Sequence, residues 1–263
     1  MEFRDPICAT SHLMTAIWAV FAALILYRLA PPLPGRRLAV AGYGMSMVIL
    51  YTFSTLFHAV PFTHDQNPIA FRFFQRLDQS AVFIFIAGTN TPIMAILLRG
   101  WWQAGCLRGM WGLALSGVAC LWIVDDPPYL VIVGICVAIG LLGLLPIRHY
   151  LKVIPWGNSL WAWLGVGLYT AAALCELLNW PRVADYPYRI GSHEVFHILV
   201  SFASVAFFVF ITRHVIGHRT RRANRPLGVT DSRLMPVHRL LVSRPTTPRP
   251  QPVQERELAT AGR

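Results

Sequence analysis

Charge is what this 263-residue chain has little of. Charged residues make up 13% of it, against about 25% in an average soluble domain, while hydrophobic residues reach 55%. A soluble globular domain is excluded, and the chain reads as an integral membrane protein. Cysteine is also sparse: Cys8, Cys106, Cys120, Cys136 and Cys175 are an odd number with no C-x-x-C spacing. No disulfide framework or thiolate metal site is expected, and all five read as small packing residues. No glycine-rich nucleotide loop occurs, and Gly140, Gly143, Gly165 and Gly167 are expected at close helix–helix contacts. The residues before the first apolar run carry neither a basic leader nor a small-residue cleavage site, so that run is expected to stay as an anchor.

What is present is a series of uncharged runs near the ~20 residues that a hydrocarbon core requires. They extend from about Pro6 to Tyr27, Leu38 to Thr63, Gln79 to Leu98, Pro127 to Ile147, Val153 to Cys175 and Val195 to Thr212. A further run, Gly109 to Val124, is long enough if Trp101 and Trp102 begin the helix and Arg108 snorkels to the interface. Their apolar stretches are continuous rather than alternating, which excludes barrel strands. The expected fold is all-α, an integral membrane seven-helix bundle in the cell membrane. Residues 1–217 form the spanning domain, and residues 218–263, rich in Arg, Pro, Thr and Ser, form a basic tail too poor in apolar residues to bury a core.

The net charge of +11 does not indicate nucleic acid. Eleven of the 23 basic residues lie from Arg213 onward, beside a membrane, where anionic headgroups are the natural counter-charge. Membrane lipids are therefore the expected partners, with no nucleic acid among them.

Chemistry enters with His193-Glu194-Val195-Phe196-His197. Histidines at i and i+4 share a helix face, and both imidazoles can reach one ion at about 2.0–2.1 Å. In a seven-span bundle the end of span two and the starts of spans three and seven open on one side of the membrane. That brings His58, Asp78, His193 and His197 into one leaflet, with Ser11, His12 and Glu176 on the same side. Ionisable groups are costly there and are functional candidates by default. Three neutral histidines, His58, His193 and His197, leave a fourth position on zinc open to water, and Asp78 can hold that water or take its proton. Ser54, one turn before His58, faces the same way and can bond a water or a substrate carbonyl, or back-bond to its own helix.

These residues resemble a known family. Tyr51-Thr52-Phe53-Ser54-Thr55-Leu56-Phe57-His58, Arg76-Leu77-Asp78-Gln79-Ser80 leading to Ala87-Gly88-Thr89-Asn90-Thr91-Pro92, and His193 through His197 are similar to the three motifs of the hemolysin III group. That group stands with the progestin and adiponectin receptors and, more distantly, the alkaline ceramidases. The similarity covers about Thr10 to Arg213, including Thr10-Ser11-His12 and Gly167-Leu168-Tyr169-Thr170. It implies a seven-helix bundle with zinc on His58, His193 and His197, water held by Asp78, and hydrolysis of the amide of ceramide-like lipids. Gln79 stands where a histidine is common and Asn90 where an aromatic is common, changes expected to alter the surroundings of the site and the substrate cavity. Haemolysis is not carried over.

Two other functions fit the same residues. One is a ligand-sensing receptor with structural zinc, its lipid a ligand rather than a substrate. The other is an intramembrane metalloprotease, since His193 to His197 satisfies H-E-x-x-H with Glu194 as base. No apolar segment follows to supply that protease's further ligand. The identity of the ion among those that favour imidazole is open. Orientation is also divided: five Lys and Arg fall on the N-terminal face, including Arg189, and twelve on the other face when the tail is counted to Arg225. The charge rule therefore places the C-terminus in the cytoplasm and the site in the outer leaflet. The adiponectin-receptor resemblance implies the reverse.

Overall fold

The computed structural model describes residues 3–182 and 190–218. Arg189 and the tail from residue 219 lie outside them. The chain forms α1 (Pro6–Leu29), α2 (Pro34–Ala59), α3 (Pro68–Leu97), α4 (Gly100–Ile123), α5 (Tyr129–Leu144), α6 (Ile147–Val153), α7 (Leu160–Leu178) and α8 (Ser192–Phe210). α8 continues through a π turn, Ile211–Val215. Because α5 and α6 together make one length, the described residues hold seven helical stretches long and apolar enough to cross a membrane.

Helix starts follow backbone chemistry rather than hydropathy. α1, α2 and α3 each begin at a proline, whose missing N–H would be unpaired in a first turn anyway. Asn67 caps α3 by accepting from the Ala70 N–H at 3.2 Å. The third span thus starts at Pro68, eleven residues before Gln79, where the uncharged run begins. Its length of 30 residues is about 45 Å, more than a hydrocarbon core of about 30 Å, so Arg72 and Arg76 occupy turns that extend past the core. The second span correspondingly ends at Ala59 rather than Thr63.

The bundle turns its large apolar side chains outward, with Met14 72%, Leu38 75% and Leu130 74% exposed, as expected where the surroundings are lipid. Inside, α1 contributes the stripe Cys8, His12, Ala16, Ala19, Ala22 and Leu26, spaced at three and four residues. It packs on α2 and α8, α2 packs on α3, α3 on α4 and α5, and α7 on α8. Small residues permit the closest approaches. A Cβ on Gly165 would stand 2.6 Å from the Phe207 ring, and one on Gly143 would stand 2.6 Å from Asn90 Oδ1. Gly140 and Gly167, also expected at contacts, have nothing within 4 Å of that position. Asn90 itself donates to the Ile86 carbonyl and packs against α5 at Gly143.

α2 and α8 are tied at several depths. Arg36 donates to the carbonyls of Ile216 and His218, the Tyr43 hydroxyl to the Ser204 carbonyl at 3.4 Å, and the Tyr51 hydroxyl to the Val200 carbonyl at 3.2 Å. At the other end of α2, His58 meets His193 and His197. The described carboxylates Asp5, Asp65, Asp125, Asp126, Glu176 and Glu194 belong to the ends and connections on this same side, and Asp78 lies in the half of α3 nearer to it.

Candidate metal centre

Four histidines gather where the starts of α1 and α8 meet the end of α2. The i, i+4 pair on α8 is set by one helical turn: His193 Nε2 and His197 Nε2 stand 3.1 Å apart. Two nitrogens on one tetrahedral ion at 2.0–2.1 Å would be separated by about 3.3 Å, so the pair already has a chelating spacing. His58 comes from α2, its ring centroid 5.2 Å from that of His193 and 4.7 Å from that of His197. His12 comes from α1 and lies 3.9 Å from the His197 ring.

Carboxylates behind two of these rings settle which nitrogen faces the cluster. His58 Nδ1 lies 2.9 Å from Asp5 Oδ2; an ionised carboxylate only accepts, so Nδ1 carries the proton and Nε2 keeps its lone pair. Burial acts to raise the Asp5 carboxyl, but hydrogen bonds from His58 and Arg4 outweigh it and hold the group below its ordinary value. Arg4 is itself fixed, its guanidinium stacked 4.4 Å over Phe57 and 5.0 Å over Phe71. His193 Nδ1 donates in the same manner to Glu176 Oε2 at 3.1 Å, freeing its Nε2. Carboxylate–imidazole pairs of this kind orient the ligands of metal sites and raise their basicity. Glu176 stands in the last turn of α7, which left-handed Asn179 ends; Asn179 also accepts from the Ser192 hydroxyl at the start of α8.

The donor chemistry fits a cation. His58 Nε2, His197 Nδ1 and both ring nitrogens of His12 are buried and find no partner among the described residues, a costly state for neutral polar groups. Among the described residues, Cys8, His193 and His197 form a set of three donors, one atom of each lying within 4.8 Å of the others. These residues form a possible metal site. Cys8 therefore departs from the packing role expected of all five cysteines, because the α1 stripe delivers it to the cluster. His58 borders this set without belonging to it.

Asp78 is half-buried, beside the Ser54 hydroxyl and in electrostatic reach of His58 and His193. Rather than opening span three it lies about 15 Å along α3, because that helix starts at Pro68. Ser54 is 2% exposed. Glu194 spends Oε2 on the Gly191 N–H at 2.8 Å, capping α8, and its Oε1 accepts from the Cys8 thiol at 3.8 Å. Asp5 and Cys8 were missed from the sequence. A carboxylate just ahead of the first span, on the face already assigned to the histidines, was the available signal for Asp5.

Comparison with known proteins gives matches over most of the chain. The profile of the Haemolysin-III related family matches residues 3–208. Hemolysin-3 of Bacillus cereus is 38% identical over 113 residues, which cover 42% of this chain and 49% of that protein. The hemolysin-3 homolog of Bacillus subtilis (strain 168) is 28% identical over 167 residues, 63% of this chain and 72% of its own length. The match thus spans about half the length of the first relative.

Proposed function

Given that the chain belongs to the Haemolysin-III related family, we propose that it is a zinc-dependent membrane hydrolase acting on lipid amides of the ceramide type. The observation that carries this reading is the 3.1 Å separation of His193 Nε2 and His197 Nε2 beside the lone pair of His58 Nε2.

His58, His193 and His197 would hold the zinc, which supplies Lewis acidity and lowers the pKa of water toward neutrality. Asp78 takes the proton from the attacking water and returns it to the leaving amine, as a half-buried carboxylate facing the imidazoles can. Ser54 donates to the amide carbonyl oxygen or steadies Asp78. Asp5 and Glu176 hold two imidazoles in the tautomer that presents Nε2. A cluster at the ends of apolar spanning helices supports a lipid substrate over a soluble one.

A second reading, a lipid-sensing receptor with structural zinc, is favoured by one observation. Cys8 stands in one donor set with His193 and His197, and four protein ligands would make the centre structural. The metalloprotease is the weakest of the three, because the carboxylate it needs as base is engaged in capping α8.

The test is fatty-acid release from a panel of lipid amides by the purified protein and by Asp78→Asn. Release by the parent and none by the variant, with zinc retained in both, is the expected result. No release by the parent from any amide would leave the receptor reading in its place.

A further inference from the structure

Cys8 has no task in the hydrolytic scheme, yet it is fully buried and its sulfur lies among the donors of His193 and His197. It precedes His12 by four residues on the inward stripe of α1. α1 therefore presents an i, i+4 pair, Cys8 and His12, against the i, i+4 pair of α8. A separate observation comes from α2. His58 is 2% exposed, and its Nε2, on the ring edge away from Asp5, has no partner among the described residues. A ligand shared by the three helices satisfies both features.

We propose that Cys8 is a metal ligand, completing a Cys/His₃ set with His58, His193 and His197 and holding, as thiolate, the position a hydrolytic water would need. The assignment rests on the metal reading above and gives it a resting state that is closed. The S–H bond breaks as the sulfur–metal bond forms, and the proton has an acceptor in Glu194 Oε1, 3.8 Å from the sulfur. A soft thiolate also biases the centre toward zinc over harder ions. Opening the site then requires movement of the first turn of α1, which is anchored to α2 through the Asp5 N–H to the His58 carbonyl at 3.2 Å.

X-ray absorption on the zinc-loaded full chain in detergent tests this. The expected first shell contains one sulfur at about 2.3 Å with nitrogens at about 2.0–2.1 Å, and Cys8→Ser loses the sulfur while keeping the zinc. Cobalt substitution gives a parallel readout, a thiolate charge-transfer band present in the parent and lost in the variant. A zinc shell of nitrogen and oxygen alone in the parent overturns the assignment while leaving the three-histidine reading intact. A parent protein that binds no zinc overturns both. The parent spectrum decides the matter even if Cys8→Ser does not fold.

Discussion

His193 and His197 point their Nε2 atoms at each other across 3.1 Å, and the carboxylate of Glu176 holds His193 from behind. Without a cation the two Nε2 atoms share one hydrogen bond, while His197 Nδ1 and His58 Nε2 are left without a partner among the described residues. Replacing His58, His193 or His197 by alanine is expected to lower zinc content and the melting temperature together, since the remaining ligands become buried polar groups without their ion. Metal analysis and a thermal-shift assay on each variant provide the check. Full zinc occupancy in His58→Ala would remove α2 from the centre.

Asp5→Asn and Glu176→Gln test the groups behind the rings. Each change keeps the size of the side chain and removes the charge that fixes an imidazole tautomer. Zinc affinity should fall by about 10–100-fold in each. Competition with a chelator measures this, and unchanged affinity would show that the rings are oriented by packing alone.

Asp78→Asn separates holding the ion from using it. Asparagine preserves the shape but cannot accept a proton, so zinc should remain while lipid-amide hydrolysis is lost. Loss of zinc in this variant would make Asp78 a direct ligand.

Gly165→Ala probes the α7–α8 contact that carries Glu176 to His193. The added Cβ would meet the buried Phe207 ring at 2.6 Å, so the ring or the helix that carries it must shift. A destabilisation of about 1–3 kcal/mol is expected for overpacking of this kind. Reversible unfolding in mixed detergent is the measurement, and a neutral result would show that the helices part easily there.

Orientation can be read with reporters fused to the C-terminus. The described carboxylates cluster on the metal-centre side, while Arg28, Arg36, Arg37, Arg99, Arg108, Arg148 and Lys152 flank the other. The expected outcome is a fluorescent cytoplasmic reporter and an inactive periplasmic one. The opposite pattern would align this chain with the adiponectin-receptor arrangement.

The seven spans were legible because hydrocarbon imposes a length on apolar runs, and the α8 histidine pair was legible because helical spacing is fixed. Helix ends were less so: Pro68 and Asn67 start α3 by capping chemistry, well before the uncharged run begins at Gln79. Cys8 looked like packing because no second cysteine stood near it in sequence. Its neighbours in the cluster come from α8, 185 and 189 residues away, and no local pattern encodes that meeting. Gly140 and Gly167 failed as contacts for the same reason, since composition does not say which face of a helix meets another.

The bonds between α2 and α8 act as a register lock. Arg36, Tyr43, Tyr51 and His58 recur at intervals of seven or eight residues, close to two helical turns. Arg36 meets the carbonyls of Ile216 and His218 just past the π turn, Tyr43 the Ser204 carbonyl, Tyr51 the Val200 carbonyl and the Ser204 hydroxyl, and His58 the rings of His193 and His197. A slide of one helix past the other by a single turn would part Tyr51 from the Ser204 hydroxyl and His58 from His193 and His197 together. Two helices keyed in this way cannot exchange one stable alignment for another in small steps. Conformational change at the centre is expected instead of α1, whose inward stripe beyond His12 is the apolar series Ala16, Ala19, Ala22 and Leu26, with Thr15 beside it donating to Ser201 Oγ at 3.0 Å.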